Sequence, residues 1–203
     1  MVLLEYTGRL VSDGRIFDTT DEETAKRWGI FEPSARYGPR YAIVGAGVMI
    51  RGMEAAISAA TVGSSADFQI PASMAFGERS PGLVRMMPER DFAKQGVRVA
   101  PGMTVTLDNS LARVKSVTSG RVVVDFNHPL AGEEVVYSLK LVQVISEDPK
   151  KAEAVLANFG LKGKAESADG KLAVTFQPNE PADKVREAKS ALRALFPEIV
   201  FSG

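Results

Sequence analysis

The chain has 203 residues, 45% of them hydrophobic and 25% charged, with 25 acidic residues against 25 basic ones. That length suits one large domain or two to three small ones, and zero net charge argues against a protein that grips nucleic acid by neutralising phosphates. The absence of cysteine excludes disulfides, thiolate metal sites and thiol chemistry; no stretch nears the ~20 apolar residues of a membrane span, and the opening "MVLLEYTGRLVSDG" lacks the basic lead of a signal peptide, so a cytoplasmic protein is expected.

In chain order, "VLLEYTGRLV" reads as a strand, "SDG" as a turn and "GRIFDTT" as a second extended piece. Residues 21–40, with two glycines and two prolines among mixed charges, read as a long irregular excursion, and "YAIVGAG" as a buried strand ending in glycine. The period then changes: Ile50, Met53 and Ile57 fall on one face of a helix that Gly63 would stop. "SADFQIP" alternates, pointing Ala66, Phe68 and Ile70 one way, and "ASMAFGERSPG" reads as a loop.

From Leu83 the pattern is that of a small β-rich unit. A short helix is expected around Asp91–Gln95, then the strands "TVTL", "ARVKSVTS" and "RVVVDF", separated by turn signals at "DNS" and "SG". After "NHPLAGEE", a long strand "VVYSLKLVQVIS" places Val135, Tyr137, Leu139 and Leu141 on one face. A polar "SEDPKK" marks a boundary. Beyond it lie a short helix closed by Gly160, a strand "KLAVTFQP", an amphipathic helix starting at Pro181 with Val185, Ala188, Leu192 and Leu195 in register, and a last strand "EIVFSG". This last segment, roughly 55 residues, is near the lower limit for folding alone, so it is expected to pack on something or pair with a second copy.

Little of this suits bond-making chemistry. One histidine and no G-x-S-x-G argue against a nucleophilic triad, and scattered carboxylates lack the spacing of a metal site, so neither metal nor cofactor is expected. Gly45 and Gly47 follow a strand, but the third glycine, Gly52, falls inside the helix, which spoils a dinucleotide-binding turn. What remains is a set of apolar residues with one carboxylate among them: Tyr6, Phe17, Asp18, Met49, Ile50, Met53, Phe68, Phe76 and Tyr137. On periodicity alone these read as the core of a small β-protein.

Their order adds a second meaning. "YTGRLVSDGRIFDTT", "VMIRGMEAAI", "AFGE" and "VVYSLKLVQV" resemble the succession found in FKBP-type peptidyl-prolyl isomerases. The segment between "AFG" and the last strand resembles the insert-in-flap domain of SlyD-like members, and "VVVDFNHPLAG" is similar to the stretch where that insert rejoins the body. The likeness covers residues 1 to about 146; residues 150–203 resemble the extra C-terminal domain of long archaeal members. It implies an α+β fold in three parts: an FKBP-like antiparallel sheet around a short helix (1–81 and 128–147), an inserted β-rich chaperone domain (82–127) and a C-terminal α/β domain (148–203) that would pair two copies. His128 is then part of a structural return into the last strand. The ending "FPEIVFSG" does not support nickel handling by a His- and Cys-rich tail.

The resemblance also assigns the site. Tyr6, Phe17 and Asp18 would wall a proline pocket, Met49 and Ile50 would precede the helix with the Ile50 N–H facing a substrate carbonyl, Met53 would form the floor, and Tyr137 would be the aromatic of the final strand. Phe76 stands where most members have a tyrosine whose hydroxyl bonds substrate, and Ala42, beside Tyr41, stands near a usual aromatic. Asp18 either orients Tyr6 or interacts with the twisted imide, or it caps the turn "DTTD". Leu83, Met86 and Met87 would bind varied apolar partners, unless the methionines pack the insert's own core. The implied activity is isomerisation of X–Pro bonds in unfolded or partly folded, proline-containing polypeptides. A non-catalytic holdase or binding module on the same scaffold is the alternative; nucleic acid and membrane are not expected partners.

Overall fold

A computed structural model describes residues 1–168 and 171–202; Gly203, the end of the last expected strand, lies outside the described residues. The chain is α+β and falls into two compact units, Met1–Gln69 with Val136–Gly203, and Ile70–Val135. The elements run β1 (Val2–Leu10), β2 (Ile16–Thr19), α1 (Glu22–Arg27), β3 (Arg40–Ala42), α2 (Arg51–Ala59) and β4 (Ser65–Ile70). The second unit adds β5 (Val84–Pro88), α3 (Glu89–Ala93), β6 (Thr104–Leu107), β7 (Ser110–Thr118) and β8 (Arg121–Asp125). Then come β9 (Val135–Val144), α4 (Asp148–Asn158), β10 (Gly163–Ala168), β11 (Lys171–Phe176), α5 (Ala182–Leu195) and β12 (Val200–Ser202).

In the first unit, one sheet has the order β2-β1-β9-β4, with β3 also on β1. The period of two decides what it buries: Val2, Leu4 and Leu10 from β1, and Val135, Tyr137, Leu139 and Leu141 from β9, the four residues expected on one face. Helix α2 buries Met53, Ala56 and Ile57. It ends at Ala59 rather than at Gly63, because Ala60 already has extended backbone. A second sheet, β10-β11-β12, pairs β11 and β12 in parallel. Parallel neighbours need a long crossover, which α5 supplies, and Val174, Ala188, Leu192 and Leu156 form the fully buried centre there.

Four further expectations change. The excursion at 21–40 contains α1: Asp21 caps it by accepting from Thr24 N–H, Glu22 and Glu23 stand in its first turn and Lys26 and Arg27 in its last, all favourable to the helix dipole. "YAIVGAG" is a strand only through Ala42, since Gly45 and Gly47 take left-handed backbone. Ala66 is exposed, while Phe68 and Ile70 on the same strand are progressively covered. The helix expected at Asp91–Gln95 begins two residues earlier, at Glu89.

The second unit is a four-stranded antiparallel sheet, β5-β8-β7-β6. Both hairpin loops have two residues with positive φ, Asp108–Asn109 and Ser119–Gly120, the backbone that matches strand twist and that Asn and Gly tolerate best. Phe92, Val99, Ala112, Val114, Val122 and Val124 make its core. Where the chain enters and leaves this sheet, Asp125 is buried, ion-paired with Arg79, and accepts from Asn127 N–H (3.0 Å) and Nδ2 (2.7 Å). Asn127 also bonds both backbone groups of Ser80, so the two crossings are knitted to each other.

Candidate active site

The strand order β2-β1-β9 places Asp18 and Phe17, Tyr6, and Tyr137 on three neighbouring strands. The Tyr6 and Tyr137 rings lie 5.8 Å apart and tilted, and Phe17 meets Tyr137 edge-on at 5.8 Å, separations at which aromatic rings attract beyond their area. The rings can lie this close to the sheet because of a residue that sequence reasoning missed, Gly8. It sits opposite Asp18 in the β1–β2 register, and a Cβ there would come within 2.8 Å of Phe17 and 3.0 Å of Tyr137. The available signal was a glycine inside a strand, which often marks a close approach.

The polar side of the cluster is the Tyr6 hydroxyl, hydrogen-bonded to the Asp18 carboxylate and joined by Arg40. Burial, then the Asp18 charge, pushes the Tyr6 phenol up to about 12. Burial also raises Asp18, against the stabilising Tyr6 hydrogen bond and the Arg40 charge, and Tyr137 is raised by burial and by the charge of Asp18. Burial leads in all three cases, with Tyr137 buried and Tyr6 and Asp18 half-buried. The Asp18 carboxylate is favoured by the Tyr6 hydroxyl and also by the Thr19 N–H inside the turn "DTTD", while the following helix is capped by Asp21. Arg40 was not anticipated; it lies on β3, opposite Leu4, and its guanidinium also donates to Arg36 O.

Met49 and Ile50 are half-buried at the start of α2, and Met53 is buried within it. Ile50 has extended backbone (φ −60°, ψ 145°) and precedes the helical ladder; its N–H finds no acceptor among the described residues. Ala42 pairs with Val2, and Tyr41 O accepts from Asn158 Nδ2. The structure thus gathers Tyr6, Phe17, Asp18 and Tyr137, while α2 positions Met49, Ile50 and Met53.

Phe76 belongs to the second unit, where its ring stacks on His128 with centroids 4.7 Å apart and planes 2° from parallel. His128 Nδ1 accepts from Leu130 N–H, and its carbonyl accepts from Ala131 N–H. The only histidine therefore shapes a turn, as expected. Met87 packs on the insert core, whereas Met86 is 61% exposed, and Leu83 is exposed too. Among the described residues no cluster of histidine and carboxylates could hold a metal ion, and no helix is long and apolar enough to cross a membrane.

Comparison with known proteins gives these features a family. Residues 85–130 match the family described as "FKBP26, IF domain". Over 132 residues, 65% of this chain and 84% of the relative, the sequence is 35% identical to the short-type peptidyl-prolyl cis-trans isomerase of Methanocaldococcus jannaschii. It is 32% identical to the FKBP-type isomerase SlyD of Helicobacter pylori, over 49% of this chain and 56% of that protein, and 30% identical to a probable FKBP-type 16 kDa isomerase of Pseudomonas fluorescens, over 50% and 69%. The chain belongs to the FKBP-type peptidyl-prolyl cis-trans isomerases.

Proposed function

We propose that this isomerase works on X–Pro bonds of unfolded or partly folded polypeptides in the cytoplasm, using an FKBP-like body (1–81 and 128–147). Tyr6, Phe17, Asp18, Met49, Ile50, Met53, Phe76 and Tyr137 would form the catalytic set. The observation that carries this is the desolvated cluster of Tyr6, Phe17 and Tyr137 lying on Gly8, with one carboxylate beside it. Rotation about X–Pro faces a barrier of ~18–20 kcal/mol, set by amide resonance that water supports. The twisted amide is less polar than the planar one, so a water-poor wall of rings favours it relatively. Ile50 N–H would hold the substrate carbonyl and Asp18 would fix the Tyr6 hydroxyl. No bond is made or broken, and no cofactor is called for.

The insert (82–127) would hold unfolded chains on its exposed apolar edge, Leu83 and Met86, with Met87 supporting from beneath, and present prolines to the body at raised effective concentration. Residues 148–203 would form a separate α/β domain that pairs two copies; exposed Val200 on the edge strand β12 supports this. Turnover of matched X–Pro peptides, wild type beside Phe17→Ala and Asp18→Ala, tests the body: both variants should lose at least about tenfold, which is ~1.4 kcal/mol of barrier. No rate gain from the wild type would favour the holdase alternative. Deleting residues 83–126 should slow refolding of a proline-limited protein far more than peptide turnover, and sedimentation with and without residues 148–203 reads the pairing.

A further inference from the structure

The insert carries a groove whose chemistry narrows its substrates. Strand β5 is an edge of the sheet, and its register with β8 sets Met86 opposite Val123 and Pro88 opposite Arg121. Leu83, Val84 and Met86 are 40%, 37% and 61% exposed, a row of large apolar side chains on one edge. Beside it, between β5, the β7–β8 turn and α3, opens a groove of about 860 Å³ lined by Met86, Pro88, Arg90, Ala93 and Arg121 together with Glu89.

The charges there are one-sided. Arg90 and Arg121 are exposed, and neither has an ion pair among the described residues. Arg121 Nη1 instead rests 3.5 Å from the Met86 sulfur, which sets a cation directly against the apolar row. The other charged group lining the groove, Glu89, offsets one of the two arginines. The cationic excess extends through the matched segment: residues 85–130 hold seven basic and four acidic residues, against an even balance for the whole chain. Of those four, Asp125 is already paired with Arg79 and Asp91 with Lys94.

We propose that this groove selects extended segments in which a carboxylate stands within a few residues of a large apolar side chain. The apolar residue would lie on Leu83, Val84 and Met86, the carboxylate would meet Arg90 and Arg121, and the free edge of β5 would pair with the segment's backbone. This rests on the insert being a polypeptide-binding site, and it adds the charge preference, which follows from complementarity.

The test uses the full chain and three labelled proline-free peptides, identical except for one residue beside a central leucine: Asp, Asn or Lys. Fluorescence anisotropy should rank them Asp, Asn, Lys in falling affinity, with Asp about threefold to tenfold tighter than Asn, the range of exposed ion pairs acting together. The gap should close at high salt, and Arg90→Glu with Arg121→Glu should reverse the ranking. Equal binding of Asp and Asn, or a preference for Lys, overturns the charge selection and leaves polypeptide binding intact. If none of the three binds, the polypeptide-binding role of the insert falls, and the selection with it.

Discussion

A buried carboxylate in the insert, Asp125, and a half-buried one in the body, Asp18, are treated oppositely. Asp125, in the insert, is surrounded by donors: Arg79, Asn127 N–H and Asn127 Nδ2. Asp18, in the body, has the Tyr6 hydroxyl and the Arg40 charge, yet burial outweighs them and its acidity is weakened. A fully satisfied buried charge holds a structure in one arrangement. An incompletely compensated one is a strain on stability, tolerated where a desolvated group is useful. Asp125 is thus held by a full set of donors and Asp18 is left under-compensated, a distinction drawn from what surrounds each oxygen.

Breaking the Asp125 arrangement should have the largest effect. Asp125→Ala leaves Arg79 without its ion pair and takes one acceptor from Asn127 where the insert enters and leaves, and should cost the insert about 2–3 kcal/mol. Arg79 is 41% exposed, which keeps the loss below that of a fully buried pair. Hydrogen exchange at the Val122 and Val124 amides should speed up accordingly. Unchanged exchange there would mean that the neck does not hold the insert sheet.

Gly8→Ala comes next and tests the ring cluster. Its Cβ would sit 2.8 Å from Phe17, so the ring must move, at about 1–3 kcal/mol of overpacking. Turnover of X–Pro peptides should fall more than substrate affinity, since ring placement rather than capture is disturbed. Wild-type turnover from this variant would detach the rings from catalysis.

How much of this was legible in the sequence follows from the kind of signal. The hairpin loops could be read because Asp108–Asn109 and Ser119–Gly120 have the side chains that positive φ demands, and α5 because its apolar residues repeat at helical spacing. Helix α1 was hidden because it buries only Ala25; its signal was the capping aspartate and the charge order, not periodicity. Strand β10, "GKAESA", has almost no apolar pattern and exists through its pairing with β11. For the site, composition and spacing could nominate Tyr6, Phe17 and Tyr137 only as core. Their convergence depends on β1 lying between β2 and β9, a long-range pairing that local pattern does not encode; the ordered likeness to a family supplied it. Arg40 and Gly8 were missed because each acts only through residues distant in the chain.

A smaller effect sharpens the Asp18 side of the comparison. Its acidity is weaker in the folded chain than in the unfolded one, so the folded state holds the proton more tightly. Stability from this group is therefore present at low pH and falls as pH rises from the ordinary aspartate range, ~3.9, through the raised folded value. Asp18→Asn does not titrate. Its stability relative to wild type should grow across that window and then level off, while turnover is impaired throughout. Thermal melts at a series of pH values read the slope, and a difference that shrinks with rising pH would reverse the assignment of Asp18 as under-compensated.

The smallest change in stability should come from Met86, where the two units differ most in what an apolar side chain does. Tyr137 is 5% exposed and lies against two rings, whereas Met86 is 61% exposed, with its sulfur 3.5 Å from Arg121 Nη1. Met86→Gln removes little buried area, so unfolding should move by no more than about 0.5 kcal/mol, and X–Pro peptide turnover should stay at the wild-type rate. Binding of an unfolded, proline-free polypeptide should nonetheless weaken severalfold, because a polar side chain replaces the most exposed apolar one on the β5 edge. That separation, stability and peptide turnover unmoved but polypeptide capture reduced, is what an adaptable surface predicts and a packing residue does not. A large fall in stability would place Met86 with Met87 in the core, and the apolar edge would lose its central contact.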